Sequence, residues 1–234
     1  MKPVRVLFVI LLAVVGALYL VTLLNPVPEY SVPPGDNGNN PATALPSVEI
    51  QEYNGQKLTS SGSFPENSIK GPQLVRLEGY RLRVSGLVNE SREYTYDEII
   101  EGHPHYTKLV TLHCVEGWDA TALWEGVLVR DILNETGIGP GATTIIFHAY
   151  DGYTTSFPVS YVTDNGIIMA YRINNATLPT ARGFPFALVA ENKWGYKWIR
   201  WIDGIELSDD TNYRGYWEQR GYSNSGNLNS SFFG

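Results

Sequence analysis

Polar and apolar positions alternate through Tyr80-Arg81-Leu82-Arg83-Val84, the period of a half-buried strand. Lys108 to Cys114 (KLVTLHC) is a second β-type run, and it ends on a cysteine. Thr143 to Ala149, Ile167 to Ile173, Phe184 to Val189 and Lys197 to Leu207 read as further strands, with Asp151-Gly152 as a turn signal. Tyr96 to Glu101 suits one short helix. In Trp124 to Leu133 the apolar positions Trp124, Val127, Leu128, Ile132 and Leu133 have helical spacing, and Gly137 suits the end of that helix. Strands outnumber helices, so the pattern predicts an α+β, β-rich domain without internal repeats.

The flanks differ from this body. Val6 to Leu24 carries no charge and is long enough to cross a bilayer core of ~30 Å as a helix. Lys2 and Arg5 precede it and no basic residue follows until Lys57, which places the N-terminus in the cytoplasm and the rest outside. Leu23-Leu24-Asn25-Pro26 makes a poor cleavage site, so an uncleaved anchor is favoured over a signal peptide. The sequence shows neither a twin-arginine pair nor a lipoprotein-type cysteine. The expected organisation is a transmembrane anchor (1–25), a Pro/Gly/Asn-rich stalk with little core of its own (26–63), a cored domain (64–220) and a polar tail (221–234). Tyr213, Tyr216 and Trp217 suggest that the region after Ser208 packs back on the body. Sequons at Asn89, Asn134, Asn175 and Asn229 could carry glycans outside the membrane.

Charge and cysteine content narrow the chemistry. The 234-residue chain has a net charge of −7 and no basic stripe, which argues against a nucleic-acid partner. Its single cysteine excludes an internal disulfide and a thiolate-rich zinc or iron–sulfur site. On composition alone, a lone cysteine is a small buried hydrophobe. Yet Cys114 stands in Leu112-His113-Cys114-Val115-Glu116-Gly117-Trp118, where a strand meets a glycine-containing loop and side chains emerge into clefts. Two chemistries fit: a nucleophilic thiolate, or a thiolate on a soft redox metal whose other ligands come from outside the chain. His113 is a poor base for Cys114, because neighbours on a strand point to opposite faces. A third option is copper or zinc on His103, His105, His113 or His148 with Cys114, though an H-P-H pair is a weak signal.

A run of ordered segments between about Gly62 and Trp217 resembles the sulfite-oxidase/molybdopterin-dependent oxidoreductase family. They are LHCVEGW, WEGVLVRDIL, DGYTTSFPVS, IIMAYRINNATLP, ARGFPFALVAENKWGYKWIRWIDGIEL and YRGYWEQRGYS. The resemblance implies a sulfite-oxidase-like molybdopterin-binding fold, a molybdenum–molybdopterin cofactor (or its tungsten analogue) and Cys114 as the protein thiolate on the metal. It further implies that Asn67, Arg182 and Gly195-Tyr196-Lys197 hold the cofactor, Lys197 by its phosphate or ring, and that Tyr153 is an active-site tyrosine donating to substrate or metal oxo. Each also has a plain reading: a strand charge for Lys197, a turn aromatic for Tyr153, a loop residue for Asn67, a strand cap for Arg182.

Departures from the family pattern refine this expectation. Sulfite oxidases read Arg-Asn-His where this chain has Glu66-Asn67-Ser68, and they place arginines after the cysteine where it has Val115, Glu116, Gly117 and Trp118. Carboxylates there would repel sulfite in a dry cleft, so Glu116 and Trp118 point to a neutral or cationic substrate, small molecule or protein side chain, of sulfoxide type. In this the chain is closer to the protein-methionine-sulfoxide reductase type. Ala187 replaces an arginine common in relatives, which Arg182 or Arg172 could supply. No haem or iron–sulfur motif is present, so electrons would pass to or from a separate partner. The rivals are a cofactor-free binding module that keeps the fold, and the copper or zinc protein above.

Overall fold

The computed structural model describes residues 48–234. In chain order these form β1 (Glu52–Tyr53), β2 (Gln56–Lys57), β3 (Leu82–Gly86), β4 (Arg92–Tyr94), α1 (Tyr96–Gly102), β5 (His105–His113), β6 (Asp119–Leu128), α2 (Val129–Thr136), β7 (Thr144–Ala149), β8 (Thr154–Pro158), α3 (Val159–Asp164), β9 (Ile168–Ile173), β10 (Ala176–Thr177), β11 (Ala187–Val189) and β12 (Ile202–Ser208). One five-stranded sheet has the order β4-β3-β12-β7-β8, with β12 parallel to β3 and its other pairs antiparallel. The other runs β10-β9-β6-β5, with β11 also on β9, and is antiparallel throughout. The expected β-rich α+β architecture is present.

Local chemistry explains most boundaries. Thr95 caps α1 in a reciprocal box with Glu98, which satisfies two otherwise free backbone donors. Gly137 ends α2 at φ +68°, and its N–H bonds the Leu133 carbonyl. The helix predicted from Trp124 begins only at Val129, because Trp124 to Leu128 belong to β6. A register shift against β9 falls between Glu125 and Gly126. There the backbones close so tightly that a Cβ on Gly126 would lie 2.3 Å from the Met169 carbonyl oxygen.

Residues 48–63, assigned to the stalk, are tied to the body instead. Glu49 accepts from the Ser61 backbone and hydroxyl, Asn174 Nδ2 donates to Glu49 and to the Thr59 carbonyl, and Thr59 N–H bonds the Thr121 carbonyl. The segment is held by polar bonds rather than apolar burial, which composition does not reveal. Among the described residues no helix is long and apolar enough to cross a membrane. The anchor expected at 1–25, and most of the stalk, lie outside the described residues.

Candidate active site

Strands β5 and β6 pair in continuous register from His105↔Val127 to His113↔Asp119, leaving Cys114–Trp118 as the hairpin loop. Cys114 N–H bonds the Trp118 carbonyl at 2.9 Å, Gly117 N–H bonds the Cys114 carbonyl at 3.0 Å, and Gly117 takes φ +85°. This fixes Cys114, itself almost fully buried, in the lining of an open cleft. A parallel bridge between His113 and Trp194 brings Gly195 alongside. A Cβ on Gly195 would lie 3.3 Å from the His113 carbonyl oxygen and 3.5 Å from Cys114 Cα, so glycine permits the approach.

Eight of the nine residues singled out from the sequence line this one cleft: Asn67, Cys114, Glu116, Trp118, Tyr153, Arg182, Gly195 and Tyr196. Two groups stand 3.8 Å from Cys114 Sγ, the Asn67 amide nitrogen and Glu116 Oε2. Glu116 also accepts from the Trp118 indole at 3.0 Å. Burial pushes the Cys114 thiol up, and the Glu116 charge adds to this against backbone N–H groups of Glu116 and Val115. Without a metal the thiol is therefore protonated at neutral pH, which disfavours a free nucleophile.

Lys197 is the exception. It is fully buried behind the cleft wall, and its ammonium is spent on the Ser156 carbonyl (2.7 Å), Glu218 (2.6 Å) and the Asn224 carbonyl (3.0 Å). With every proton committed, it has none left for a phosphate. The cation of this stretch that does line the cleft is Arg200, three residues on, which the sequence reading missed. A charge isolated between Trp198 and Trp201 was the available signal. Tyr153 also differs from expectation: its hydroxyl donates to the Tyr196 carbonyl and buttresses the Gly195-Tyr196 wall. A donor role toward substrate would require breaking that bond.

The carboxylate expected to repel anions is neutralised. Glu66 Oε2 accepts from both Arg182 (3.2 Å) and Arg200 (3.0 Å). Partial burial would push its carboxyl up, but hydrogen bonds from Ser68 and the charges of Arg200 and Arg182 outweigh this and hold it below the usual range. Two guanidiniums thus share one carboxylate, which leaves this corner of the cleft cationic. A carboxyl depressed by folding stabilises the fold above its unfolded pKa and loses that contribution as pH falls through the lowered value. Thermal melts taken from neutral into acid should show a shallower loss of stability for Glu66→Gln than for the native chain; identical acid limbs would refute the clamp.

Arg200 lines the cleft near Ala187, the position of the arginine common in relatives. A Cβ on Gly183 would sit 2.9 Å from Arg200 Cβ and 3.0 Å from Ala187 Cβ, so those two side chains are neighbours. Arg172, the other candidate to replace the family arginine, pairs with Glu125 at 2.9 Å and does not line the cleft. The histidines are placed elsewhere: His103 Nδ1 bonds the Ile99 carbonyl and its Nε2 lies 3.2 Å from Glu135 without a hydrogen bond, while His105 bonds the Ile100 carbonyl, His113 bonds Asp119 and His148 bonds Glu206. Among the described residues no group of three or more His, Cys, Asp or Glu is placed to hold a metal, which speaks against the copper or zinc reading.

A lone thiol on a hairpin tip, facing a cleft with two guanidiniums and several backbone edges, suits a metal whose remaining ligands arrive on an anionic organic cofactor. This fold and site define a cofactor-dependent redox domain. Residues 69–217 match the family described as the oxidoreductase molybdopterin binding domain, and the chain belongs to that family. It is a molybdopterin-dependent oxidoreductase, with molybdenum–molybdopterin as its cofactor. It is 30% identical over 152 residues to an uncharacterized oxidoreductase of Bacillus subtilis, covering 64% of this chain and 76% of that one. It is 32% identical over 163 residues to a putative protein-methionine-sulfoxide reductase subunit of Azospira oryzae, covering 68% and 62%. Among solved structures, the sulfane dehydrogenase SoxCD from Paracoccus pantotrophus shares the fold, with a TM-score of 0.59 and 20% identity over 66% of this chain and 43% of that one.

Proposed function

We propose that this chain reduces a neutral or cationic sulfoxide-type substrate at a molybdenum bound by Cys114. The observation that carries the reading is the Cys114 thiol in the cleft, with Asn67 and Glu116 at 3.8 Å and with Arg182 and Arg200, paired on Glu66, lining the same cleft. When bound, the cofactor supplies two-electron oxygen-atom transfer. The chain's residues hold and shape. Cys114 supplies the protein thiolate. Asn67 faces that sulfur with an amide N–H. Arg182 and Arg200 offer cationic donors to the cofactor's anionic groups. Gly195 and Tyr196 form a wall that Tyr153 braces from behind.

Glu116 and Trp118 set the substrate side. A carboxylate beside the reaction centre disfavours an oxyanion, and the Trp118 ring, 6.3 Å from Phe64, offers apolar surface to a thioether or its sulfoxide. In the net reaction a sulfoxide takes up two electrons and two protons, its sulfur–oxygen bond breaks, and a thioether and water are released. The electrons come from a separate donor. Placement outside the cytoplasm on an N-terminal membrane anchor belongs to the same proposal, supported by the uncharged run Val6 to Leu24 and the basic residues before it.

The test uses the full chain in detergent, made in a host able to synthesise molybdopterin. Reduced viologen with dimethyl sulfoxide should give turnover, and sulfite with ferricyanide should not. Sulfite oxidation without sulfoxide reduction would overturn the substrate assignment. Zinc or copper in place of molybdenum would overturn the whole reading, and a folded chain without metal or pterin would favour the cofactor-free binding module.

A further inference from the structure

Four consecutive carbonyls near the C-terminus are each taken by a donor from Lys193–Lys197. The Tyr196 hydroxyl bonds Ser223 O (2.7 Å), Lys197 Nζ bonds Asn224 O (3.0 Å), Lys193 Nζ bonds Ser225 O (2.8 Å) and Trp194 N–H bonds Gly226 O (2.8 Å). Lys193 also reaches Asn227 Oδ1. Both lysines are buried, at 7% and 0% exposure, so their charges are directed inward onto this strap rather than toward water. A Cβ on Gly226 would fall 2.5 Å from Lys197 Cγ, so the strap sits directly on the lysine stem. The strap then folds on itself, with Ser223 N–H on the Phe232 carbonyl and Gly234 N–H on the Gly221 carbonyl.

The strap reaches the cleft as well. The segment gripping it is the one whose Gly195 and Tyr196 line the cleft beside Cys114. The first strap side chain, Tyr222, lines the same cleft. Its ring is set edge-on to Tyr196 at 5.0 Å and tilted against Trp217 at 5.3 Å. An aromatic ring held between such neighbours keeps one place in the cleft lining, which a free loop would not.

We propose that Tyr222 is a specificity-determining residue: its ring, held by the strap, limits how large a group can reach Cys114. This rests on reading the Cys114 cleft as the reaction chamber.

The first experiment does not depend on the substrate. Cys114 is the chain's one cysteine, so thiol labelling reports on this site alone. The cofactor-free full chain, from a host unable to make molybdopterin, is labelled with N-methylmaleimide or with pyrene maleimide. In Tyr222→Ala the ratio of the pyrene rate to the methyl rate should rise by about tenfold, whereas Tyr222→Phe, which keeps the ring, should stay within about twofold of the native chain. Asn227→Ala, which loosens the strap at Lys193, should raise the ratio in the same direction, and it decides the matter if Tyr222→Ala does not fold. A native ratio in a folded Tyr222→Ala, or a ratio raised equally in Tyr222→Phe, overturns the proposal. In the loaded chain, Tyr222→Ala should shift kcat/KM toward a diaryl sulfoxide over dimethyl sulfoxide. If the native loaded chain reduces no sulfoxide, the substrate reading fails, while the maleimide ratio still decides the role of Tyr222.

Discussion

Glu218→Ala should destabilise the domain by about 3–5 kcal/mol, because it strands a cation in the interior. Lys197 and Glu218 are both fully buried, with Nζ 2.6 Å from Oε1. Burial pulls the Lys197 ammonium down toward its neutral form, and Glu218 opposes this. Removing the carboxylate leaves the ammonium with two carbonyls only, and it also deprives Thr155 Oγ1 of its acceptor. A loss of this size corresponds to a melting temperature lower by about 10 °C for a domain of this length. The double variant Lys197→Met with Glu218→Ala should recover much of the loss, since an apolar pair needs no desolvated charge. Urea unfolding measures both. A cost under about 1 kcal/mol for Glu218→Ala would show that Lys197 finds another partner or water.

Cys114→Ala should lower molybdenum-dependent turnover by about 10³-fold or more, equivalent to about 4 kcal/mol of barrier. On the proposed reading, the thiolate is the protein's only sulfur on the metal. Alanine would leave the hairpin geometry intact, because the Cys114–Trp118 and Gly117–Cys114 bonds are backbone bonds. The fold should thus survive while activity is lost, which separates a ligand from a packing residue. Retention of full kcat in the alanine variant would remove Cys114 from the chemistry. Steady-state assays beside a thermal melt distinguish the outcomes.

Six of the twelve strands were legible: β3 and β5 by the alternation of a half-buried face, β7 and β9 as short apolar runs buried on both faces, and β11 and β12 within longer apolar segments. The short β1, β2, β4, β8 and β10 passed unread. The strand β6 reads as helix, and the reason is physical. Trp124, Val127 and Leu128 are all within 3% of complete burial, so both faces are apolar and the alternation disappears. The apolar run then crosses directly from β6 into α2 at Val129, so Trp124, Val127, Leu128, Ile132 and Leu133 together mimic the spacing of one helix. That the region after Ser208 packs back was legible from its aromatics, but the grip on residues 221–234 was not. Two of their carbonyls accept from the buried Lys193 and Lys197, one from the Tyr196 hydroxyl and one from the Trp194 N–H, a non-local pairing with no local signature.

In the site, residue types were easier to read than their directions. The thiol, the loop asparagine and the Gly-Tyr wall are found together, as the ordered segments implied. Which cation of Lys197-Trp198-Ile199-Arg200 enters the cleft depends on the single 3-10 turn at Gly195–Lys197, which sends Lys197 inward and leaves Arg200 on the wall. Glu66 shows the same limit. Alone it reads as a repelling charge, and only the fold brings two arginines onto one of its oxygens. The cleft's electrostatics are therefore set by long-range pairs as well as by Glu116 in the loop beside the cysteine.

The central claim is that Cys114 is the protein's ligand to molybdenum, and X-ray absorption at the molybdenum edge tests it most directly. Loaded native chain and loaded Cys114→Ala should differ by one sulfur neighbour per metal, with the sulfur atoms of the cofactor remaining in both. An equal sulfur count in the two proteins would contradict the assignment.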